Sequence, residues 1–258
     1  MLTFRNTAIV YIFLVLGLMG YDYQHELSVW YYLLSFLAVS LVVSWGCYFI
    51  QSGFFLKAYC GGDESKNQVA LTFDDGPCDQ THVVLDTLKR HGVKAAFFCI
   101  GKNIPGRENI LKRMAEEGHI VGNHSWSHSN VIDFYPFNKL MSDVSKTDDI
   151  IFDVIRKKNR LFRPPYGVTT PIIARLVKAK KYAVIGWNVR SYDTSIKSRD
   201  RLLKRIFTQM KNGSVILLHD TTPGIEIVLE KVLERARDKN LKVVSIEELF
   251  GIKAYEPA

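Results

Sequence analysis

Hydrophobic patterning divides the chain into two parts. From Ala8 to Leu56 the sequence is nearly devoid of Lys and Arg, whereas after Lys57 apolar and polar positions mix as in a soluble domain. The second of two apolar runs, from about Leu27 to Ile50, carries no charge and reaches the roughly 20 residues that cross a bilayer. The first, Ala8 to Gly20, is shorter and reads as a signal-peptide core, a short or tilted span, or a re-entrant segment. No small-residue cleavage site follows it in Gly20-Tyr21-Asp22-Tyr23-Gln24, so a helical hairpin is expected. The alternative is one signal-anchor helix with an amphipathic lead. Trp30, Tyr31, Tyr32, Trp45 and Tyr48 lie towards the ends of the second run, where an interfacial aromatic belt would sit. Arg5 favours an inside N-terminus, and two spans would then return the rest of the chain to that side. One span would put it on the other, so the side of the membrane stays open.

The second part begins after a polar, glycine-bearing stretch, Gly61-Gly62-Asp63-Glu64-Ser65. Near-continuous apolar runs predict strands at Gln68–Phe73, Lys94–Ile100, Ile120–Gly122, Tyr182–Asn188, Ser214–His219 and Lys242–Ser245. Helical periodicity appears at about Thr81–His91, Arg107–Glu117, Phe137–Ile155, Pro171–Ala179, Arg199–Met210 and Ile225–Asp238. Strands without polar alternation are buried on both faces, which with intervening helices predicts an α/β fold, either a βα barrel or an open parallel sheet. The expected organisation is an N-terminal membrane anchor over 1–56, a linker over 57–67 and a catalytic domain over 68–258.

Composition changes this picture little. The net charge of +8 is spread over helices among acidic residues, which points away from nucleic acid and towards an anionic membrane surface or glycan. Cys47, Cys60, Cys78 and Cys99 have no metal-site spacing and read as ordinary thiols. No obligate protein partner is indicated.

In either architecture chemistry belongs just beyond the C-terminal ends of strands. Asp74-Asp75-Gly76-Pro77 follows the first strand, and its two carboxylates need not share a role, although the same tetrapeptide is also a good turn. His124 and His128 follow the third strand, and histidines four apart can grip one ion from one face of a helical turn. His119, before that strand, reads as structural. His219 ends the strand from Ser214 and has the unperturbed pKa of a general acid, or else caps a loop. In Arg163-Pro164-Pro165-Tyr166-Gly167 the prolines stiffen a loop that leaves Arg163 to pair with a carboxylate and the Tyr166 N–H to meet an oxyanion.

Taken together, these residues resemble the polysaccharide deacetylase family (carbohydrate esterase family four, the NodB-homology domain) from about Val69 to Phe250. Thr72-Phe73-Asp74-Asp75-Gly76-Pro77 reads as the first family motif, and His124-Ser125-Trp126-Ser127-His128 as the second. Arg163-Pro164-Pro165-Tyr166 reads as the third, and Leu217-Leu218-His219 as the fifth. The resemblance implies a deformed (β/α) barrel and a divalent metal, commonly Zn2+ with Co2+, Ni2+ or Mn2+ as alternatives, on Asp75, His124 and His128. It further implies Asp74 as base, His219 as acid, Arg163 tuning Asp74, Tyr166 at the oxyanion and Leu217 in the acetyl pocket. The fourth motif departs from the family pattern. Arg190 replaces its first aspartate and Thr194 its tryptophan, while Asp193 remains and is expected to orient His219. Arg190 either meets an acidic substrate group or pairs with a neighbouring acid.

The implied function is metal-dependent hydrolysis of N-acetyl groups from an amino-sugar glycan, chitooligosaccharide- or peptidoglycan-like, at the cell membrane and in contact with its lipid. Two alternatives remain: a deacetylase or deformylase of a lipid-linked sugar, and a non-catalytic carbohydrate-binding protein on the same scaffold.

Overall fold

The computed structural model describes residues 2–256. Two long helices, α1 (Phe4–His25) and α2 (Val29–Tyr48), form a hairpin. Neither contains proline, and their ends are tied locally. The Thr3 hydroxyl caps α1, and the Asp22 carboxylate accepts from the Leu27 N–H and the Tyr32 hydroxyl across the turn. Both are long and apolar enough to cross a membrane, and their side chains are almost entirely uncovered. The marginal first run thus extends into a helix as long as the second.

The open end of the hairpin is docked on the remainder of the chain. The Phe4 N–H donates to the Phe54 carbonyl at 2.9 Å. Phe54 is buried against Gly46 of α2, where a Cβ would come within 2.2 Å of its ring, so only glycine fits. The Thr169 N–H and hydroxyl donate to the carbonyls of Cys47 and Gly46 at 3.0 and 3.2 Å. The Gln51 amide donates to the Trp187 carbonyl at 2.8 Å.

The rest is a curled parallel sheet of nine strands, a half-barrel. These are β1 (Ala58–Tyr59), β2 (Gln68–Asp74), β3 (Ala96–Cys99), β4 (Ile120–Asn123), β5 (Leu161–Phe162), β6 (Ala183–Ile185), β7 (Val189–Arg190), β8 (Val215–His219) and β9 (Lys242–Val243). Spatially they run β1-β6-β5-β4-β3-β2-β8-β7, with β9 beside the start of β2. Residues 57–67, read from the sequence as a linker, include β1, which pairs with β6.

The expected strand Tyr182–Asn188 is interrupted. Its first half is β6, near one end of the sheet, while Val189–Arg190 leaves it to pair with β8 at the other. Gly186, Trp187 and Asn188 bridge the two ends, a link that spans at most about 14 Å, and so the sheet must curl. The strands are apolar on both faces because each face has a core. Leu71, Phe73, Phe97, Val121 and Leu218 pack with helices α3 (Asp79–Arg90), α4 (Glu108–Glu116), α7 (Arg199–Gln209) and α8 (Ile225–Asp238). Ala70, Ala96, Phe98, Val215 and Leu217 pack inwards, with α5 (Phe137–Ile155), α6 (Pro171–Lys180) and a short α9 (Ile246–Phe250).

Candidate active site

A cavity of about 370 Å³ opens at the C-terminal ends of the strands, lined by residues that follow β2, β4, β5, β7 and β8. Asp74 is the last residue of β2. One of its oxygens, Oδ1, accepts from Arg163 Nη1 at 2.7 Å. The Arg163 side chain is fully buried and also donates to the Thr72 hydroxyl and the carbonyls of Ile185 and Gly186, each at 2.9 Å. Its guanidinium lies 4.2 Å over the Phe98 ring. The predicted pairing of Arg163 with a carboxylate therefore holds, but the two carbonyl contacts were not predictable. They exist because the chain leaves strand geometry at Gly186.

Asp75 turns out of the strand with φ 76° and faces the two histidines. Its Oδ1 is buried, has no hydrogen-bond partner, and stands 3.6 Å from His124 Nε2 and 3.5 Å from His128 Nε2. The His124–His128 segment is not the helical turn expected from the spacing. It is a loop in which Ser125 and His128 take positive φ, and it is held by Asp143 accepting from the Trp126 and Ser127 N–H groups. The two rings still converge, with centroids 4.8 Å apart.

These three residues suit a divalent cation. A buried carboxylate oxygen without a donor is costly unless a positive charge meets it. Ligand atoms about 2.0–2.1 Å from a tetrahedral ion stand about 3.3 Å apart, close to the observed spacing. The Arg163 carbonyl lies 2.7 Å from His124 Nδ1, so that nitrogen carries the proton and Nε2 offers its lone pair to the site. Burial pushes both histidines below their ordinary pKa, which favours the neutral, ligating form. Burial also raises Asp75, with Asp74 and Asp193 adding to it against the pull of His124 and His219.

Across the cavity, His219 ends β8. Its Nδ1 lies 2.8 Å from Asp193 Oδ1, and its N–H donates to Asp193 Oδ2 at 2.7 Å. Burial alone would lower the imidazole. The hydrogen bond and charge of Asp193, with Asp74 and Asp75 beyond, outweigh it and carry His219 up to about 9. The same contacts, with the Ser191 hydroxyl, hold Asp193 below the usual carboxylate range despite its burial.

Tyr166 takes φ 59° in a 3-10 turn, and Gly167 follows with φ 72°. Gly167 and Val168 bond back to Pro164 and Pro165, leaving the Tyr166 N–H outside that ladder. A Cβ on Gly167 would meet the Trp187 ring at 2.3 Å, so glycine is required on both counts. Leu217 and Arg190 line the cavity as well.

Trp187, Tyr192 and Ser195 also line the cavity and were not foreseen. Asp220 was likewise passed over. It is fully buried, accepts from the Thr81 hydroxyl at 2.6 Å and packs beneath Gly76. Burial lifts its carboxyl to about 7. Its position straight after His219 was the available signal. His119 has the structural role expected of it, accepting from the Ala95 N–H at 3.1 Å through Nδ1.

The chain belongs to the polysaccharide deacetylase family, the hydrolase class that this fold and constellation define. The family model described as polysaccharide deacetylase matches residues 61–185. A peptidoglycan-N-acetylglucosamine deacetylase of Bacillus cereus is 33% identical over 195 residues, 73% of this chain and 70% of that protein. A peptidoglycan-N-acetylmuramic acid deacetylase of Bacillus subtilis is 30% identical over 197 residues, 76% of this chain but only 41% of that longer protein. A solved structure of a peptidoglycan N-acetylglucosamine deacetylase superposes with a TM-score of 0.73 at 31% identity, covering 76% of this chain and 94% of that one.

Proposed function

We propose that the protein is a membrane-anchored, metal-dependent deacetylase that hydrolyses N-acetyl groups on an amino-sugar glycan. The observation that carries this reading is the pair of opposed acid–base units, Asp74 with Arg163 and His219 with Asp193, on either side of Asp75, His124 and His128. The names of the relatives support the substrate class. The two exposed apolar helices support the anchor.

Asp75, His124 and His128 would hold a divalent cation such as zinc, which would supply Lewis acidity to polarise the acetamide carbonyl. Asp74, with Oδ1 engaged by Arg163, uses Oδ2 to take a proton from the attacking water. The water oxygen bonds to the acetamide carbon, and the Tyr166 N–H donates to the developing oxyanion. Leu217 walls the space for the methyl group. The C–N bond then breaks as His219 Nε2 delivers its proton to the nitrogen, releasing acetate and a free amino sugar. Asp193 fixes the ring so that Nε2 faces the cavity.

The test is acetate release from N-acetylated glycans by metal-loaded protein, with bound metal measured in parallel. Asp74→Asn should keep the metal and lose at least ~100-fold in rate, and His124→Ala should lose both. Undiminished activity in Asp74→Asn would overturn the assignment of the base. Glycan binding without acetate release by any metal-loaded sample would favour a non-catalytic carbohydrate-binding protein.

A further inference from the structure

Arg190 ends β7 and lines the catalytic cavity beside Trp187 and Tyr192. Its guanidinium lies 4.7 Å from the Tyr192 ring centroid and 5.5 Å from that of Trp187. Among the described residues it has no carboxylate within ion-pairing distance, so the neighbouring acid allowed by the sequence is not there. An arginine that lines a cavity against aromatic rings and has no internal counter-charge is suited to a planar or tetrahedral oxyanion on a ligand.

The same cavity lies against the hairpin. Thr169, three residues beyond Tyr166, bonds to the last turn of α2, and Gln51, just after α2, bonds to Trp187. Three residues span at most about 11 Å, so the cavity wall stands close to the point where α2 ends. Trp45, Tyr48 and Phe49 are exposed at this end of α2 and Trp30 and Tyr31 at the other, about 27 Å apart along the helix. That separation suits two interfacial belts, with the catalytic cavity at one of them. A loop on the cavity rim continues the apolar surface. Val131 and Phe134 are 54% and 84% exposed, next to Asn130, which accepts from the Tyr166 hydroxyl. Finally, an apolar groove of about 310 Å³ runs between the first half of α1 and the middle of α2, lined by residues such as Val10, Leu14, Ala38 and Val42.

We infer that the substrate is an N-acetylated amino sugar joined through phosphate to a lipid of the same bilayer, its phosphate bound by Arg190. The lipid chain lies along the groove between the helices, the phosphate meets the guanidinium at the interface, and the acetamide reaches Asp74 and His219. This rests on the deacetylase reading and narrows it, because a neutral glycan strand offers Arg190 nothing and does not start from the bilayer.

The experiment compares four substrates with the full-length, metal-loaded protein in lipid vesicles, by acetate release. They are a polyprenyl-phosphate-linked N-acetylhexosamine, the same sugar 1-phosphate without lipid, a neutral chitooligosaccharide, and a glycan with N-acetylmuramic acid, whose anion is a carboxylate. The lipid-linked substrate should have the highest kcat/KM. Arg190→Gln should shrink its advantage over the chitooligosaccharide by about 10–100-fold, mainly through KM. Equal turnover of the lipid-free sugar phosphate, a preference for either glycan, or an unchanged substrate ratio in Arg190→Gln would overturn the inference. Release from the glycans alone would remove it and leave the deacetylase reading standing. Release from none would remove both.

Discussion

The two sides of the cavity use the same pairing for opposite ends. On one side a carboxylate faces the reaction space and a cation stands behind it; on the other an imidazole faces it and a carboxylate stands behind. The contacts are nearly equal, 2.7 Å for Asp74–Arg163 and 2.8 Å for His219–Asp193. Burial differs. The Arg163 side chain is 0% exposed and its partner 5%, whereas His219 is 18% exposed over a fully covered Asp193. Which partner meets the cavity decides which one exchanges protons, and because both hidden partners are fully covered, what else each one holds decides how much of the fold depends on it: Arg163 also binds Thr72, Ile185 and Gly186.

The largest effect should come from breaking the deeper pair. Arg163→Met leaves Asp74 without its counter-charge and frees the carbonyls of Ile185 and Gly186 that hold the sheet's turn. A loss of about 3–5 kcal/mol is expected, read as a lowered melting temperature or absence of folded protein. Asp193→Asn on the other side should cost less stability, at most about 3 kcal/mol, and lower kcat by roughly 100–10,000-fold, since the ring loses its orientation and its charge support. If the two variants were equally destabilised, the contrast between the hidden partners would be wrong.

A titration sharpens the same contrast. In metal-free protein the His219 ring should titrate near 9 by NMR and fall towards the ordinary value of 6.5 in Asp193→Asn. Because the folded value is raised, the stabilisation from this pair is complete below about 6.5 and lost as pH climbs through about 9. It amounts to at most ~3 kcal/mol, visible as a decline in unfolding free energy that Asp193→Asn lacks. The smallest change concerns the wall between the two sides. Gly167→Ala forces both a left-handed backbone and a clash with Trp187, for about 1–3 kcal/mol by chemical denaturation.

Much of this was legible in the chain. Asp74, Asp75, His124, His128 and His219 all follow apolar runs, and strand ends are where such sites are built. The helices of the second part, such as Phe137–Ile155 and Ile225–Asp238, were predicted within a few residues because their apolar faces recur at helical spacing. Three things were hidden. A run from Tyr182 to Asn188 looks the same whether it is one strand or a strand and a crossing link, since both are buried on two faces. β1, at Ala58–Tyr59, and α9, at Ile246–Phe250, are too short to show a period. The spacing of His124 and His128 suggested a helical turn, but the hydrogen bonds that the Trp126 and Ser127 N–H groups donate to Asp143, 17 and 16 positions away, choose a loop instead.

Arg163 acts twice, through different atoms. Its side chain fixes the base, while its carbonyl fixes the tautomer of His124. Replacing the side chain therefore addresses proton abstraction while leaving that carbonyl in the chain, whereas any change that tilts the Arg163-Pro164 peptide alters base and ligand at once. An engineer retuning the site for another ion would keep that peptide still and work from His128, whose ring is not tethered to the same residue.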